Sequence, residues 1–380
     1  MRRLNHYIYN QTSWPRFHWN RDKLAERLAE VQHKQGWLLG RMETLGFNLR
    51  QEAVLQSLTE DVFKSSEIEG EILNKDQVRS SIARKLGMDI GGLKSVDRNV
   101  EGIVEMMLDA TRHYDLPLTA ERLFGWHAAL FPTGRSGMRK ITVGNWRESG
   151  SDPMQVVSGA VGRERIHFEA PAAAKVDNEM RMFLDWFNGN TEKNQVMKAG
   201  LAHLWFITVH PFDDGNGRMA RAIADMTLAR SEKSPQRFYS MSAQIRQERD
   251  AYYDLLEQTQ KGTVDVTPWM EWFLDCLGRA IEGAQNTLGS VLAKARFWEA
   301  ISGTTLNERQ RTVLNRLLDG FDGKLTTTKW SKLAKCSHDT ALRDILALVE
   351  RGVLVQNPGG GRSTSYSLAP VSNSSSDEQL

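Results

Sequence analysis

The chain has 380 residues, of which 40% are hydrophobic and 25% are charged. These proportions exclude a mainly disordered chain, because they supply enough apolar surface to offset the conformational entropy lost on folding. The 49 Lys and Arg residues against 47 Asp and Glu residues leave a net charge of only +2, which argues against a protein that coats nucleic acid over its whole surface.

Length predicts two or three domains. The two cysteines, Cys276 and Cys336, are too few for a disulfide framework or a four-cysteine metal site. The sequence also lacks the apolar stretch of a signal peptide and any uncharged run long enough for a transmembrane helix. Together these observations favour a cytoplasmic protein.

Hydrophobic residues recur at helical spacing along most of the chain, so we expect a mainly α fold. The aromatic run at 14–19, WPRFHW, can stack nucleic-acid bases, but packing in a core or an interface is its more frequent use. Residues 22–46 and 172–189 each predict an amphipathic helix. Residues 139–171 break the pattern with β-branched pairs and scattered glycines, which predicts an extended loop or a hairpin.

The most informative stretch is HPFDDGNGRMAR, residues 210–221. An apolar helical pattern precedes it and another follows, so it predicts a loop that opens a new helix. Main-chain N–H groups converge at such a point and favour anions. Arg218 and Arg221 fall on one helix face, where both can point at one polyphosphate. Asp214 offers Mg²⁺ a hard oxygen, and a neutral His210 can accept a proton.

Each of these residues also has an ordinary structural interpretation. A lone histidine near a helix end is usually packed or capping, a Gly-Asn-Gly sequence is usually a turn, and an arginine pair is usually a solvated face. The combination of base, carboxylate, glycine loop and two cations within twelve residues is what favours phosphate chemistry.

This stretch fits H-x-F-x-(D/E)-G-N-G-R-x-x-R at every specified position, and the chain therefore resembles the Fic family. The resemblance implies an all-helical core and transfer of AMP from ATP to a hydroxyl of a target protein, by in-line displacement at the α-phosphorus. Residues 144–159 are similar to the family's flap, a hairpin that registers the target by strand addition. Residues 248–262 are similar to the segment that holds the adenosine, and residues 7–19 and 65–87 resemble the N-terminal region of one bacterial subgroup.

The resemblance also implies roles for single residues. His210 would be the general base, Phe212 a packing anchor, and Asp214 the ligand of a Mg²⁺ that bridges the α- and β-phosphates. The residues that would bind the nucleotide are Asn216, Gly217, Arg218 and Arg221 at the phosphates, with Arg221 at the γ-phosphate, then Tyr252, Tyr253 and Gln260, and Val156, Val157, Ser158 and Gly159 of the flap.

The segment SSEIEG, Ser65 to Gly70, is by itself an acidic helix end. It also resembles the Fic inhibitory motif, (S/T)-x-x-x-E-(G/N). If Glu69 pairs with Arg221, that arginine cannot hold a γ-phosphate, and the carboxylate repels phosphate as well. The motif precedes the core in the same chain, so the inhibition would be intramolecular. In some relatives the same Glu supports removal of AMP, so a reverse activity stays open.

Residues 304–368 carry ten Lys and Arg and six Asp and Glu, and so hold the basic excess of the chain. They predict three helices, the third capped by Ser337, and then a hairpin around a glycine-rich turn. This resembles a winged helix-turn-helix, with Thr340, Arg343 and Arg362 as nucleic-acid contacts. Winged helices that dock proteins are the alternative.

The sequence thus predicts five segments: an N-terminal helical region with the inhibitory motif (1–100), a Fic catalytic domain (101–278), a linker helix (279–303), a winged helix-turn-helix (304–368) and a disordered tail (369–380). The function expected is a self-inhibited protein adenylyltransferase that uses ATP and Mg²⁺, modifies a Ser, Thr or Tyr hydroxyl of a target protein or of itself, and releases pyrophosphate. An ATP-sensing DNA-binding regulator, removal of AMP, and transfer of another phosphate-containing group are the alternatives, and a homodimer is left open.

Overall fold

The computed structural model describes residues 7–88, 93–148, 153–159, 163–189, 192–321, 323–358 and 364–370. Contacts divide the described residues into two compact units, one of residues up to 88 together with 94–285, the other of residues from 286 onward. Helices dominate both units, so the predicted mainly α fold class is confirmed. The finer division into five segments stays a prediction.

The first unit begins with a short 3-10 turn, Ile8–Asn10. Its helices are α1 (Arg21–Glu43), α2 (Phe47–Ile68), α3 (Lys75–Lys85), α4 (Arg98–Arg112), α5 (Ala120–Leu130), α6 (Ala173–Asn188), α7 (Gln195–Val209), α8 (Asn216–Glu232), α9 (Met241–Gln247) and α10 (Arg249–Gln260); α11 (Thr267–Ala300) starts in this unit and continues into the second. Its strands form two antiparallel hairpins, β1 (Arg135–Ser136) with β2 (Arg139–Lys140) and β3 (Gln155–Ser158) with β4 (Arg165–Glu169). The hairpin expected within 139–171 is confirmed by β3 and β4.

Helix α7 is the centre of the first unit. It starts at Asn194, whose side chain accepts hydrogen bonds from the N–H groups of Val196 and Met197. Every residue from Val196 to Val209 is buried, which follows from a sequence that is apolar around nearly the whole helix. Helix α8 packs along α7, so the loop between them starts and ends in the core.

Helix α2 is anchored in the same core. It packs against α3, α8 and α9. Buried Asp61 accepts hydrogen bonds from the Ser240 hydroxyl (2.5 Å) and the Ser242 N–H (3.1 Å) at the start of α9, where the helix dipole favours a carboxylate. The end of α2, which carries the predicted inhibitory motif, is therefore held by a well-packed helix.

The N-terminal aromatic run packs against the core. The Trp14 indole donates to the Glu179 carboxylate (2.9 Å), and its ring meets the Trp205 ring edge-on at 6.0 Å. Phe17 contacts the same Trp205 ring. These rings are engaged in internal packing, which is the use that the sequence favours for them.

In the second unit, α12 (Glu308–Leu318), α13 (Thr327–Leu333) and α14 (His338–Glu350) precede an antiparallel pair, β5 (Leu354–Gln356) and β6 (Tyr366–Leu368). Ser337 caps α14 by accepting from the Thr340 N–H. These elements match the predicted order, and the winged-helix assignment stays a prediction. Arg362 and the tail beyond residue 370 lie outside the described residues. Among the described residues, no helix combines the length and apolarity needed to cross a membrane.

Candidate active site

A cavity of about 450 Å³ lies between the loop that joins α7 to α8, the β3–β4 hairpin and helix α10. Predicted site residues that line it are His210, Asp214, Asn216, Gly217, Val156, Val157, Ser158, Tyr252, Tyr253, Gln260 and Glu69. The other predicted residues, Arg218, Arg221, Gly159, Ser65 and Gly70, are not among the lining residues. The structure therefore brings four separate stretches of the sequence to one cleft.

His210 ends helix α7 in the left-handed backbone conformation, with a φ of 52°. Its Nδ1 lies 3.2 Å from the Ile207 carbonyl oxygen, so Nδ1–H donates and Nε2 carries the lone pair. Burial, with a smaller contribution from nearby Arg147, lowers the pKa of His210 to about 4 against the opposing effects of the Ile207 hydrogen bond, Glu69 and Asp214. The imidazole is therefore neutral at pH 7.

Arg147 fixes the backbone at this histidine and at the residue after it. Its side chain is buried, and its Nε donates to the His210 carbonyl at 2.8 Å while its own N–H donates to the Pro211 carbonyl at 2.9 Å. The guanidinium also donates to the Pro171 carbonyl beyond the hairpin. Arg147 therefore ties the base of the β3–β4 hairpin to His210.

Asn216 closes the loop on itself. Its amide oxygen accepts from the Phe212 N–H (3.0 Å) and its amide nitrogen donates to the Phe212 carbonyl (2.8 Å). Phe212 is fully buried and stacks on His127 with ring centroids 4.3 Å apart. Because the Asn216 side chain is engaged in the loop, the group it presents to a ligand is its main-chain N–H at the start of α8.

Asp214 faces the cavity from the same loop. One carboxylate oxygen accepts from the Gly215 N–H at 2.5 Å, and the other accepts from the Ser136 hydroxyl. Within the described residues, no group of three or more His, Cys, Asp or Glu side chains forms a metal site. A single carboxylate on a cavity wall does fit Mg²⁺ that is held mainly by nucleotide phosphates and water.

Helix α8 begins at this cavity, after Gly215 in the left-handed conformation (φ 81°). The first N–H groups of a helix lack partners within the helix and attract anions. A Cβ on Gly217 would lie 2.0 Å from the Glu69 carboxylate oxygen Oε1. Glycine at this position therefore allows an oxyanion to approach the start of α8 closely, and the oxyanion present is Glu69.

Arg221, one turn further along α8, is buried and bound to the end of α2. Its Nε donates to the Ser65 hydroxyl (2.9 Å), and its Nη2 donates to the Ser65 carbonyl and to Glu69 Oε1, both at 2.8 Å. Burial disfavours the charged guanidinium, but the Glu69 carboxylate and two tyrosines outweigh it, so the pKa of Arg221 is raised. Its Nη1 is buried with no hydrogen-bond partner among the described residues.

Arg218 is held by a second carboxylate from the same segment. Its Nη1 lies 2.6 Å from Glu71 Oε2, and its guanidinium lies over the Phe131 ring, 5.2 Å from the centroid. Glu71 could not be identified from the sequence, because 147 residues separate the two partners and no motif marks the contact. Both arginines of the loop are thus paired with acidic side chains that follow α2.

Helix α10 supplies an aromatic wall. Tyr252 is buried and its hydroxyl lies 3.0 Å from His203 Nε2, while the Tyr253 ring lies beneath the Arg249 guanidinium at 5.0 Å. The Gln260 amide donates to the Thr208 hydroxyl at 3.3 Å. This side of the cavity is therefore aromatic, and hydrogen bonds behind it hold Tyr252 and Gln260 in place.

The β3–β4 hairpin covers the opposite side. Val157 and Ile166 are paired across its strands and are exposed by 49% and 45%. At its base, Phe168 packs edge-on against Tyr7, and the Tyr9 hydroxyl donates to the Glu169 carbonyl at 2.8 Å. The N-terminal turn therefore braces the hairpin, and its outer end presents two apolar side chains to solvent.

Comparison with known families assigns two parts of the chain. Residues 7–88 match a domain of unknown function, DUF4172. Residues 117–228, which include the His210 loop and the hairpin, match the Fic/DOC family. This chain contains a Fic domain. The resemblance inferred from the sequence is thereby confirmed.

Relatives with a Fic domain include "Protein adenylyltransferase Fic" of Culex quinquefasciatus, 24% identical over 69% of this chain and 48% of that protein. The protein of the same name from Nematostella vectensis is 31% identical over 30% of this chain and 25% of its own length. The chain thus spans about half the length, or less, of the curated relatives it matches.

A solved Fic-domain signaling protein from Bacteroides thetaiotaomicron has a similar fold. The match has a TM-score of 0.50 and 20% sequence identity, and it covers 69% of this chain and 97% of that chain. The similarity is evidence for the fold of the Fic domain alone.

Proposed function

We propose that this chain is a self-inhibited protein adenylyltransferase that moves AMP from ATP to a hydroxyl of a target protein. The observation that carries the proposal is a neutral His210, with Nδ1 bound to a carbonyl, in one cavity with Asp214 and the start of α8. Relatives named protein adenylyltransferase support the same chemistry.

The chemistry needs a base, an anion site and exclusion of misplaced water. His210 Nε2 accepts the proton of the target hydroxyl as its oxygen attacks the α-phosphorus, and pyrophosphate leaves. The first N–H groups of α8 hold phosphate oxygens, and buried Arg221 has an unpartnered Nη1 for the γ-phosphate. Asp214 would hold Mg²⁺, which neutralises phosphate charge when bound. Tyr252, Tyr253 and Gln260 would line the adenosine.

The target would dock on the hairpin. Within the described residues, β3 pairs with β4 alone, so its other edge is open to an added strand. Val157 and Ile166 offer apolar contacts beside that edge. A target segment in extended conformation would bring its hydroxyl side chain to His210.

Self-inhibition rests on the contact between Glu69 and Arg221. The Glu69 carboxylate accepts a hydrogen bond from Arg221 Nη2. It also lies 2.0 Å from the position that a Cβ on Gly217 would take, and so blocks the approach to the anion site at the start of α8. Negative charge there repels the phosphates and removes one ligand of the γ-phosphate. ATP would then bind in a position unsuited to attack.

Intact-mass spectrometry after incubation with ATP and Mg²⁺ tests the proposal. We expect added AMP on the chain or on a target from a lysate of its host, more with Glu69→Gly, and none on the target with His210→Ala. Absence of AMP from every protein with Glu69→Gly, although calorimetry shows that ATP binds, would contradict the proposal.

The second unit suits an additional role in DNA binding. Arg343 is exposed on α14, where its only described hydrogen bond is a long one (3.4 Å) to the Asp339 carbonyl, so its guanidinium is available to a phosphate. Arg343→Ala should weaken binding to duplex DNA severalfold and lower its salt dependence by about one charge. No salt-sensitive binding by the wild-type chain would leave protein docking as the role of this unit.

A further inference from the structure

Three side chains of the cavity form a connected chain that the transfer chemistry above does not use. Ser158 Oγ lies 2.6 Å from His167 Nε2, and His167 Nδ1 lies 2.5 Å from Glu257 Oε2. All three residues line the cavity that contains His210. A hydroxyl, an imidazole and a carboxylate in this order are the arrangement by which proteins activate a serine nucleophile.

The charge of Glu257 sets the direction of the hydrogen bonds that link Ser158, His167 and Glu257. Burial would raise the pKa of Glu257, but hydrogen bonds from Lys261, His167 and Arg165 outweigh it and lower the pKa to about 2. Glu257 is therefore an ionised acceptor, and His167 Nδ1 donates to it. With that proton on Nδ1, a neutral His167 has its lone pair on Nε2, and Ser158 donates its hydroxyl proton to it.

The backbone brings His167 to this position by a bulge. Val156 pairs with Phe168 and Val157 pairs with Ile166, so β4 has one more residue than β3 between these pairs, and that residue is His167. A bulge redirects one side chain out of the regular alternation of a strand, and such bulges are frequent beside active sites. Here it turns an imidazole between Ser158 on the neighbouring strand and Glu257 on α10.

We propose that Ser158 is an activated nucleophile and the chain's own acceptor of the AMP group. This inference rests on the proposed function, since it takes ATP as its substrate. Ser158 is exposed at the end of β3 and lines the cavity in which the nucleotide would bind. The acceptor Ser158 and its base His167 both belong to the β3–β4 hairpin of this chain, so no target protein is needed.

Transfer of AMP from ATP to Ser158 is a substitution at the α-phosphorus. A bond forms between Ser158 Oγ and the α-phosphorus, and the bond from that phosphorus to the oxygen bridging the β-phosphate breaks. The electron pair leaves with pyrophosphate, and the hydroxyl proton passes to His167 Nε2. Glu257 stabilises the imidazolium that forms.

Reactivity toward a fluorophosphonate tests the activation without ATP. This reagent reacts when a serine oxygen attacks its phosphorus and fluoride leaves. We expect peptide mapping of the wild-type chain to place the label on Ser158 at least tenfold above exposed Ser302, whose hydroxyl has no hydrogen-bond partner among the described residues. His167→Gln should remove that excess, and Ser158→Thr should keep part of it. Equal labelling of Ser158 and Ser302 would show that the contact only ties the two strands together and would overturn the proposal.

Mapping of AMP tests the acceptor itself. Glu69→Gly is incubated with Mg²⁺ and ATP labelled at the α-phosphate, and we expect AMP on Ser158, lost with Ser158→Ala and reduced at least tenfold with His167→Gln. AMP found on a target or on other residues but never on Ser158 would overturn this inference and leave the proposed function standing. If the chain binds ATP but transfers AMP to no protein, the proposed function and the acceptor role are both wrong. Fluorophosphonate labelling needs no ATP, so it still shows in that case whether Ser158 is activated.

Discussion

The two ends of the His210 loop are in opposite states. At the start of the loop, His210 is neutral, its Nδ1 is bound, and Arg147 fixes its backbone. At the end, Arg218 and Arg221 are paired with Glu71 and Glu69. The proton acceptor is thus ready while the phosphate ligands are occupied. Under the proposed function, such a chain would control transfer through the pose of the nucleotide rather than through the base.

Removal of the base should have the largest effect. His210→Ala should lower AMP transfer to the target protein by about 10²- to 10⁴-fold and leave ATP affinity nearly unchanged, because the imidazole acts on the target hydroxyl. Transfer rates and calorimetric ATP binding measure the two effects. His113→Ala, which changes an exposed histidine of α4's C-cap outside the cleft, is the matched control. Near-normal transfer by His210→Ala would break the assignment of roles to the two ends.

The pH dependence of AMP transfer tests the protonation state of His210. With a pKa of about 4, His210 is about 90% neutral at pH 5, whereas an imidazole of ordinary pKa is about 3% neutral there. Glu69 raises this pKa, so Glu69→Gly cannot move it upward. The kcat/KM of Glu69→Gly should therefore stay nearly constant from pH 7 to pH 5 and fall toward pH 4. A fall in kcat/KM centred near pH 6.5 would show that the pKa of the base is not lowered as the structure indicates.

Release of the other end should increase activity. Glu69→Gly frees Arg221 and removes a carboxylate from the anion site. A charge-assisted contact of this kind contributes about 1.5–3 kcal/mol, so AMP transfer should rise about ten- to a hundredfold. Glu67→Gly is the matched control, because Glu67 also lies at the end of α2 but pairs with Lys64 and Arg246 instead.

Substitution of Arg221 distinguishes an inhibitory role of Glu69 from a purely structural one. Arg221→Ala removes the inhibitory contact together with the ligand of the γ-phosphate, so it should not be activating. Its combination with Glu69→Gly should behave like Arg221→Ala alone. If Glu69→Gly folds and is no more active than the wild type, the carboxylate has a structural or AMP-removing role.

The second acidic contact should have the smallest effect. Glu71 is 38% exposed in its side chain, and such pairs contribute about 0.2–1 kcal/mol. Glu71→Gln should therefore raise transfer by at most about fivefold, and the gain should persist in Glu69→Gly. Steady-state rates of the two single variants and the double variant measure this. A gain seen only when Glu69 is present would mean that Glu71 acts by holding the inhibitory segment in place.

Local sequence predicted the parts of this molecule that depend on neighbouring residues. The loop between α7 and α8, the cap of α14 at Ser337 and the hairpin of the flap all follow from glycines, capping residues and periodicity within a few positions. The contacts that join distant segments could not be derived in this way. Glu71 meets Arg218 across 147 residues, and Glu257 meets His167 across 90.

Asn216 shows a different limit. A resemblance assigns the residue to phosphate binding, but it does not say which atoms bind. In the structure both ends of the side-chain amide are used by Phe212, which leaves the main-chain N–H. The distinction depends on the closed geometry of a five-residue loop, and residue type alone does not encode it.

The anchoring of α2 has a consequence for how such a chain could ever be switched on. Leu55, Leu58 and Val62 of this helix are at most 3% exposed, and Asp61 accepts a hydrogen bond from the Ser242 N–H at the start of α9. Cutting away the N-terminal part to remove Glu69 would expose an apolar surface and remove the Asp61 carboxylate from the start of α9. Proteolytic trimming is therefore a poor route to activation. A swing of one side chain, or one substitution, can release the arginine while the interior stays intact.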